Sequence, residues 1–395
     1  MGDALKDVRR ARVSVALVFA VHGAVTGTFA TRIPWIQDHL DLSPGQLGLA
    51  LVFPAVGASL AMPLASRIVH RFGARAALQG LLTLWCLAIV LPGLAPNLAL
   101  LCLGLFLFGA TAGMSDVAMN AQGVEVEERL GTSIMSGLHG MWSLGGLVAS
   151  AFGVLAAHQH LDARVHFAVT AVVLTVLAQI VCRGVLDVRP AAEEEAPPRF
   201  ALPPKEALLI GLVGFCAVFA EGASADWSGV YLRDVTGSSA STAAACYTAF
   251  AATMTLARLC GDAVVRRLGP VRAVRISGAV ATAGGLLVVL ADTPYLAIPG
   301  FALIGIGIAV VVPLAFAAAG RAGSNPSQSI AGVATITYTS GLVAPAVIGG
   351  IAQATSLTVS FAVVTVLTAA LVPSATALRR RSSERPVAAN VPERV

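Results

Sequence analysis

Twelve times along its 395 residues the chain repeats one pattern, a run of roughly twenty apolar residues closed by Pro, Gly or charge. A water-soluble fold has no interior large enough for that surface. A helix of this length crosses the hydrocarbon of a bilayer with its backbone N–H and C=O groups bonded internally. The runs fall at about 13–33, 44–68, 76–96, 98–123, 133–157 and 164–186, then at 206–231, 240–265, 271–291, 295–319, 328–352 and 356–378. A composition 56% hydrophobic and only 12% charged agrees. Runs this long exclude β-barrel spans, which show short alternating segments.

Between the sixth and seventh runs lies "DVRPAAEEEAPPRFALPPKE", acidic and Pro-rich, the composition of a solvated linker. The expected organisation is an N-terminal six-helix bundle over 1–187, a cytoplasmic linker over 188–205, a C-terminal six-helix bundle over 206–378 and a basic cytoplasmic tail over 379–395. Orientation follows from charge. With the N-terminus inside, 23 of the 26 Lys and Arg fall on the inner side and only Arg32, Arg164 and Arg233 on the outer, which places both termini in the cytoplasm. The Arg-rich composition points to a bacterial cytoplasmic (inner) membrane. No soluble surface is available to gather these charges for a nucleic acid. The six cysteines lie inside apolar runs without metal-ligand spacing and read as small core residues. Basic residues ahead of the first run resemble a signal peptide, but that run has a counterpart in the second half and is expected to remain.

The counterpart is part of a repeat. "RFG" at Arg71–Gly73 and "RLG" at Arg267–Gly269 lie 196 positions apart, and the same shift pairs Gly104 with Gly300, Gly109 with Gly305, Trp142 with Tyr338 and Trp35 with Tyr231. An even number of spans separates the copies, so the repeat is parallel.

Six plus six helices, a parallel repeat and an inner linker resemble the major facilitator superfamily. After its second helix that family carries Gly-x-x-x-Asp-Arg-x-Gly-Arg-Arg. The matching string here is "SRIVHRFGAR", with Arg71, Gly73 and Arg75 in agreement, Ser66 for the first Gly and His70 for the Asp. "TRIPWIQDHLDLSPGQLG", "MNAQGVEVEERLGTSIMSGLHGMWSLGG" and "EGASADWSGVYLR" look more like the YbjJ-like branch, related to the fucose permease group. The resemblance implies an all-α membrane protein of twelve transmembrane helices in two pseudo-symmetric bundles. It also implies alternating access, with His70, Arg71, Gly73 and Arg267 among the gating residues.

Ionisable groups inside the runs are the candidate machinery, because a charge at mid-bilayer costs roughly 3 kcal/mol or more and normally faces the bundle interior. Asp116 lies among Gly109, Ala112, Gly113, Asn120 and Gly123 at helical spacing. Counting from the turn near Glu128 puts Asp116 and His139 at similar depth, so they are expected to form a proton-exchanging pair. Glu221, at the middle of the seventh run, is the second proton-coupling candidate. His22, Asn120, Trp142, Trp227 and Tyr338 are candidate substrate-binding residues, the aromatics as platforms for a sugar ring. Structural packing competes for His22, as interface anchoring does for Trp35 and Trp227. Asp226, about 140° around the helix from Glu221, shares the outer level with Arg32, and the two are expected to bridge the bundles when an outer gate closes. Arg258 and Asp262, four apart, are expected to pair within their helix. Glu125, Glu127, Glu128 and Arg129 read as a solvated turn.

The expected function is proton-coupled symport of a small polar, sugar-like solute. The alternative is a proton-antiport exporter of drugs or amphiphilic metabolites, which "MWSLGG" in the fifth run, lacking a Gly-Pro, disfavours. A non-transporting membrane sensor is the remote alternative. The chain is not expected to be an enzyme, having no nucleotide loop, nucleophile elbow or metal-ligand spacing. No cofactor is expected beyond the proton gradient, with sodium as the other driving ion. The expected partners are the solute and the lipid bilayer, with no nucleic acid, and one chain holding a complete pathway suggests a functional monomer.

Overall fold

The computed structural model describes residues 2–131, 134–187, 205–319 and 326–379. These residues form helices and contain no strand. The first half carries α1 (Gly2–Ala30), α2 (Ile33–Leu40), α3 (Pro44–Phe72), α4 (Ala74–Ala88), α5 (Val90–Leu94), α6 (Leu98–Leu130), α7 (Met135–His158) and α8 (Ala163–Val181). The second carries α9 (Lys205–Asp234), α10 (Ala240–Leu268), α11 (Pro270–Val289), α12 (Pro294–Ile308), α13 (Val311–Ala319), α14 (Pro326–Ala354) and α15 (Leu357–Ser374). They supply 12 stretches long and apolar enough to cross a membrane. The protein is a multi-pass membrane protein, and each stretch overlaps one run read from the sequence. Apart from Lys205 and Arg379, the expected linker and tail lie outside the described residues.

Three crossings are broken, and one cause explains all three. Proline lacks the N–H that would bond the carbonyl four residues earlier and crowds that carbonyl as well. Pro34, Pro92 and Pro313 stand four residues after Ala30, Ala88 and Ala309, where α1 gives way to α2, α4 to α5 and α12 to α13. Pro54, Pro63 and Pro345 sit inside unbroken helices, as neighbouring helices permit in membranes.

The repeat is visible in backbone detail. Helices α3 and α10 begin and end 196 positions apart. Ser43 and Ser239, at the same offset, cap them by accepting from the backbone N–H of Gln46 and Thr242. Both helices end at a glycine in a positive-φ conformation, Gly73 at 83° and Gly269 at 74°, which turns the chain into the next crossing.

Within the first half α3 packs along α6 and α1 along α7; within the second α14 packs along α9, and α11 along α12 and α15. The halves meet along two seams, α3 with α14 and α7 with α10, with α2 also reaching α9. An even number of crossings puts residues 2 and 379 on one face, here the terminal face; the other is the distal face. Glycines set the closest approaches. A methyl group on Gly109 would stand 1.9 Å from the Pro54 carbonyl oxygen, one on Gly145 1.9 Å from that of Ala20, and one on Gly57 2.0 Å from that of Phe106. Small residues let helix backbones meet where lipid gives apolar side chains no reason to associate.

Two readings change. Residues 125–129 are not a turn: α6 continues to Leu130, an Arg129–Glu125 ion pair of 2.7 Å lies along it, and the Glu127 carboxylate accepts from the N–H groups of Ile134 and Met135. Five cysteines are buried as expected, but Cys260 is exposed.

Gly109→Ala and Gly145→Ala are each expected to destabilise the protein by about 1–3 kcal/mol through overpacking. Gly350→Ala, whose added methyl would meet nothing within 4 Å, should be neutral. Thermal unfolding of the purified variants in detergent checks the contrast.

Candidate functional site: a polar layer between the halves

Asp116 lies near the middle of α6. One side of this helix is committed to packing, since Gly109 and Gly113 face Pro54 and Ala58 of α3. The carboxylate is half-buried, and the Asn120 amide, one turn on, donates to its Oδ1 at 3.2 Å and to the Asp116 carbonyl at 2.9 Å. Asn120 therefore holds the acid and is the only side chain among the described residues hydrogen-bonded to it.

His22 on α1 joins three helices. The Trp142 indole N–H donates to its Nδ1 at 3.1 Å, and an indole N–H has no acceptor role. Nδ1 is therefore unprotonated and Nε2 carries the hydrogen that points to the Ala112 carbonyl at 3.4 Å. The imidazole is neutral, buried and stacked on Trp85 with ring centroids 5.2 Å apart. Both ring nitrogens and the Trp142 N–H are spent on protein, so these two expected solute contacts act as a brace in this conformation.

The expected Asp116–His139 pair is not formed. His139 is exposed and meets the Phe19 ring edge-on at 5.3 Å. Helix α7 packs along α1 more than along α6, and the turn from which the two residues were expected to be level lies beyond Leu130 rather than near Glu128. On its other side His139 comes within electrostatic range of Arg258, across the boundary between the halves.

Arg258 Nη2 donates to both oxygens of Glu221, at 3.0 and 3.1 Å, with about a third of each side chain exposed. The expected partner of Arg258 was Asp262, whose side chain lies outside the described residues. The observed pair links α9 to α10. The sequence held a signal: Glu221, at the middle of one crossing, needs a partner, and the adjacent crossing carries Arg258.

Asp226 is half-buried and has no hydrogen bond or ion pair among the described residues, while Tyr247 lies within electrostatic range of both it and Glu221. Trp227 is fully buried with its indole N–H unpartnered, and the neighbouring hydroxyls of Ser224 and Ser228 are likewise buried. A ring with no exposed face is neither a sugar platform nor an interface anchor, so Trp227 is a core residue here. The Tyr338 side chain lies outside the described residues.

Arg32 and Asp226 are not brought together. The break before Pro34 carries Arg32 toward α8, where its Nε donates to Nδ1 of His166 at 3.1 Å and the guanidinium is buried. Other residues join the halves at the distal face. Arg233 pairs with Asp38 at 2.9 Å, Gln37 donates to Asp234 at 3.3 Å, and the Gly45 N–H donates to Gln353 at 3.3 Å. Gly48 and Gly349 meet there, a methyl on either standing 2.6 Å from a carbonyl oxygen of the opposite helix. The far side of α2 is tied to α8 by the His39–Arg164 hydrogen bond, and His39 stacks on Trp35 at 4.5 Å. At the terminal face His70, Arg71 and Arg267 are exposed, and Arg71 lies over the adjacent Phe72 ring at 5.3 Å.

Residues 15–342 match the family described as Major Facilitator Superfamily. The chain is 35% identical over 351 residues to the uncharacterized transporter y4wD of Sinorhizobium fredii, covering 89% of this chain and 93% of that one. It is 35% identical over 371 residues to an uncharacterized MFS-type transporter of Yersinia pestis, covering 93% and 96%. Among solved structures, the nucleoside transporter NupG superimposes with a TM-score of 0.75 at 11% identity, over 93% of this chain and 98% of that one. A bacterial homologue of the human lysosomal transporter Spinster superimposes with a TM-score of 0.71 at 14% identity, over 95% and 97%.

The contact of Gly48 with Gly349 makes distal closure sensitive to bulk. With Cys260 replaced by Ser, Gly48→Leu is expected to raise the labelling of a cysteine introduced at Gln353 severalfold and to depress transport. Labelling equal to that of the Gly48 parent would show that the distal face closes without this contact.

Proposed function

The chain belongs to the Major Facilitator Superfamily, and from that premise we propose that it carries a small polar, sugar-like solute by proton-coupled symport. One observation carries this reading: the membrane interior holds the Asp116–Asn120 unit in one half and the Glu221–Arg258 pair in the other. A carboxylate at mid-bilayer is costly unless it faces a polar path, and one that alternates between neutral and charged can tie a proton to a conformational change. Asp116 is assigned as the principal proton carrier, since Asn120 can donate to its charged form and accept from its neutral form. Glu221 is the second candidate. Loss of its charge would release Arg258 from the pair.

The distribution of Lys and Arg supports a cytoplasmic terminal face, with the protein in a bacterial inner membrane. In that orientation the distal contacts would lie on the outer side of the membrane. Symport then runs by rocking the halves about the α3–α14 and α7–α10 seams, one chain holding the whole path. The likeness to the nucleoside transporter is one of fold, so the polar character of the solute rests on this layer of residues.

Liposomes containing the purified protein and an internal pH dye test the proposal. Adding one polar solute outside is expected to acidify the interior. Asp116→Asn should abolish that acidification while leaving solute exchange across equal concentrations. Alkalinisation on adding amphiphilic cations would overturn symport in favour of export, and acidification surviving in Asp116→Asn would remove the acid from its assigned role. Uptake driven by sodium without proton movement would replace the ion.

A further inference from the structure

At the terminal face, the ends of α10 and α13, the start of α11 and the turn after α15 enclose a cleft of about 560 Å³. Val265, Leu268 and Leu314 line its apolar wall, and Arg272 and Arg379 lie on its rim. Both arginines are exposed, and neither has an ion pair or hydrogen-bonding acid among the described residues. The first turn of α11 opens on the same cleft. Its N-cap, Gly269, supplies no side-chain cap, so backbone N–H groups there lack an intrahelical partner.

The repeat shows what this corner looks like when it is filled. In the first half the equivalent turn at Gly73 is met by the chain's own acid, with Asp187 Oδ1 3.4 Å from where a Cβ on Gly73 would lie. Arg75 is satisfied there by the Val185 carbonyl at 2.9 Å. The first half thus brings a carboxylate near this turn and gives Arg75 a backbone acceptor, although its helix start at Gly73 has no side-chain cap either. In the second half the segment leaving the last helix reads Arg379-Arg380-Arg381-Ser382-Ser383-Glu384, of which Arg379 alone lies among the described residues. Among the described residues the same corner holds two arginines, a helix start without a side-chain cap and an apolar wall.

We propose that this cleft binds the headgroup of an anionic phospholipid, its phosphate between Arg272 and Arg379 and its glycerol end on Val265, Leu268 and Leu314. The level in the membrane favours a lipid over a free anion. Arg379 directly follows the crossing Leu357–Leu378, and Arg272 is the third residue of the crossing Pro270–Val289, so both stand where headgroups lie.

Native mass spectrometry of the purified full chain, titrated with phosphatidylglycerol or phosphatidylcholine, tests the site. One phosphatidylglycerol is expected to be retained in preference to phosphatidylcholine. Arg272→Gln combined with Arg379→Gln should weaken that binding roughly 30-fold, from about 1 kcal/mol per basic residue, and leave phosphatidylcholine unchanged. Circular dichroism checks that the double variant keeps its helices. Arg183→Gln, an exposed residue of the same face outside the cleft, should have no effect. An equal loss in Arg183→Gln would show diffuse attraction to the basic face, displacement by inorganic phosphate would show a soluble-anion site, and absence of a lipid preference would show no site. Each of these overturns the proposal.

Discussion

Lipid tails are as apolar as leucine, so exclusion from water does not hold these helices together once they are in the membrane. What remains is the contact of backbone with backbone, and here glycine makes it. Gly23 and Gly145 bring α1 against α7, and Gly57 and Gly109 bring α3 against α6. The remaining architecture depends on those approaches. They fix how α1 lies on α7, hence where His22 meets Trp142 and where Phe19 covers His139. They also leave α6 with one side packed and one side available for Asp116.

Polar groups that enter such an interior must be answered there, because water cannot do it. Most are. His22 uses both ring nitrogens, Glu221 holds Arg258 in a forked contact, and Tyr231 donates to the Val288 carbonyl at 2.6 Å. Among the described residues α9 carries several unanswered groups, Asp226 and the buried donors of Ser224 and Trp227, and others lie at Arg32, Gln122, Thr175 and Thr337. Helix α9 also carries Glu221 and Arg233. It is the element on which a change of protonation or of packing acts on the largest number of unsettled groups.

How much of this could be read beforehand depended on whether the information was local. Crossing count follows from runs of apolar residues, and the repeat from a fixed offset; both are properties of the chain taken in order. Depth was counted at about 1.5 Å per residue from a turn near Glu128 that proved to be helix. Azimuth was not legible. Counting placed Arg32 level with Asp226, but the break before Pro34 turned Arg32 toward His166. Asp116 and His139 were placed at one depth, yet α1 supplied the Phe19 ring that His139 meets. Glu221 and Arg258, 37 positions apart, could be matched only by requiring every mid-span charge to find a partner. Trp227 was misread for a related reason, because an aromatic in a crossing gives no sign of which way it faces.

The distal contacts are few and modest. Asp38 and Arg233 keep side-chain exposures of 49% and 34%, and exposed ion pairs of this kind contribute about 0–1 kcal/mol. The accompanying hydrogen bonds of Gln37 and Gly45 are long, and the rest is glycine touching glycine. Parting the halves on that side would therefore give up little polar energy beyond the packing of α3 on α14 and of α2 on α9. For a machine whose output is cycles per second, a door that latched with a buried ionic network would be a stopped clock.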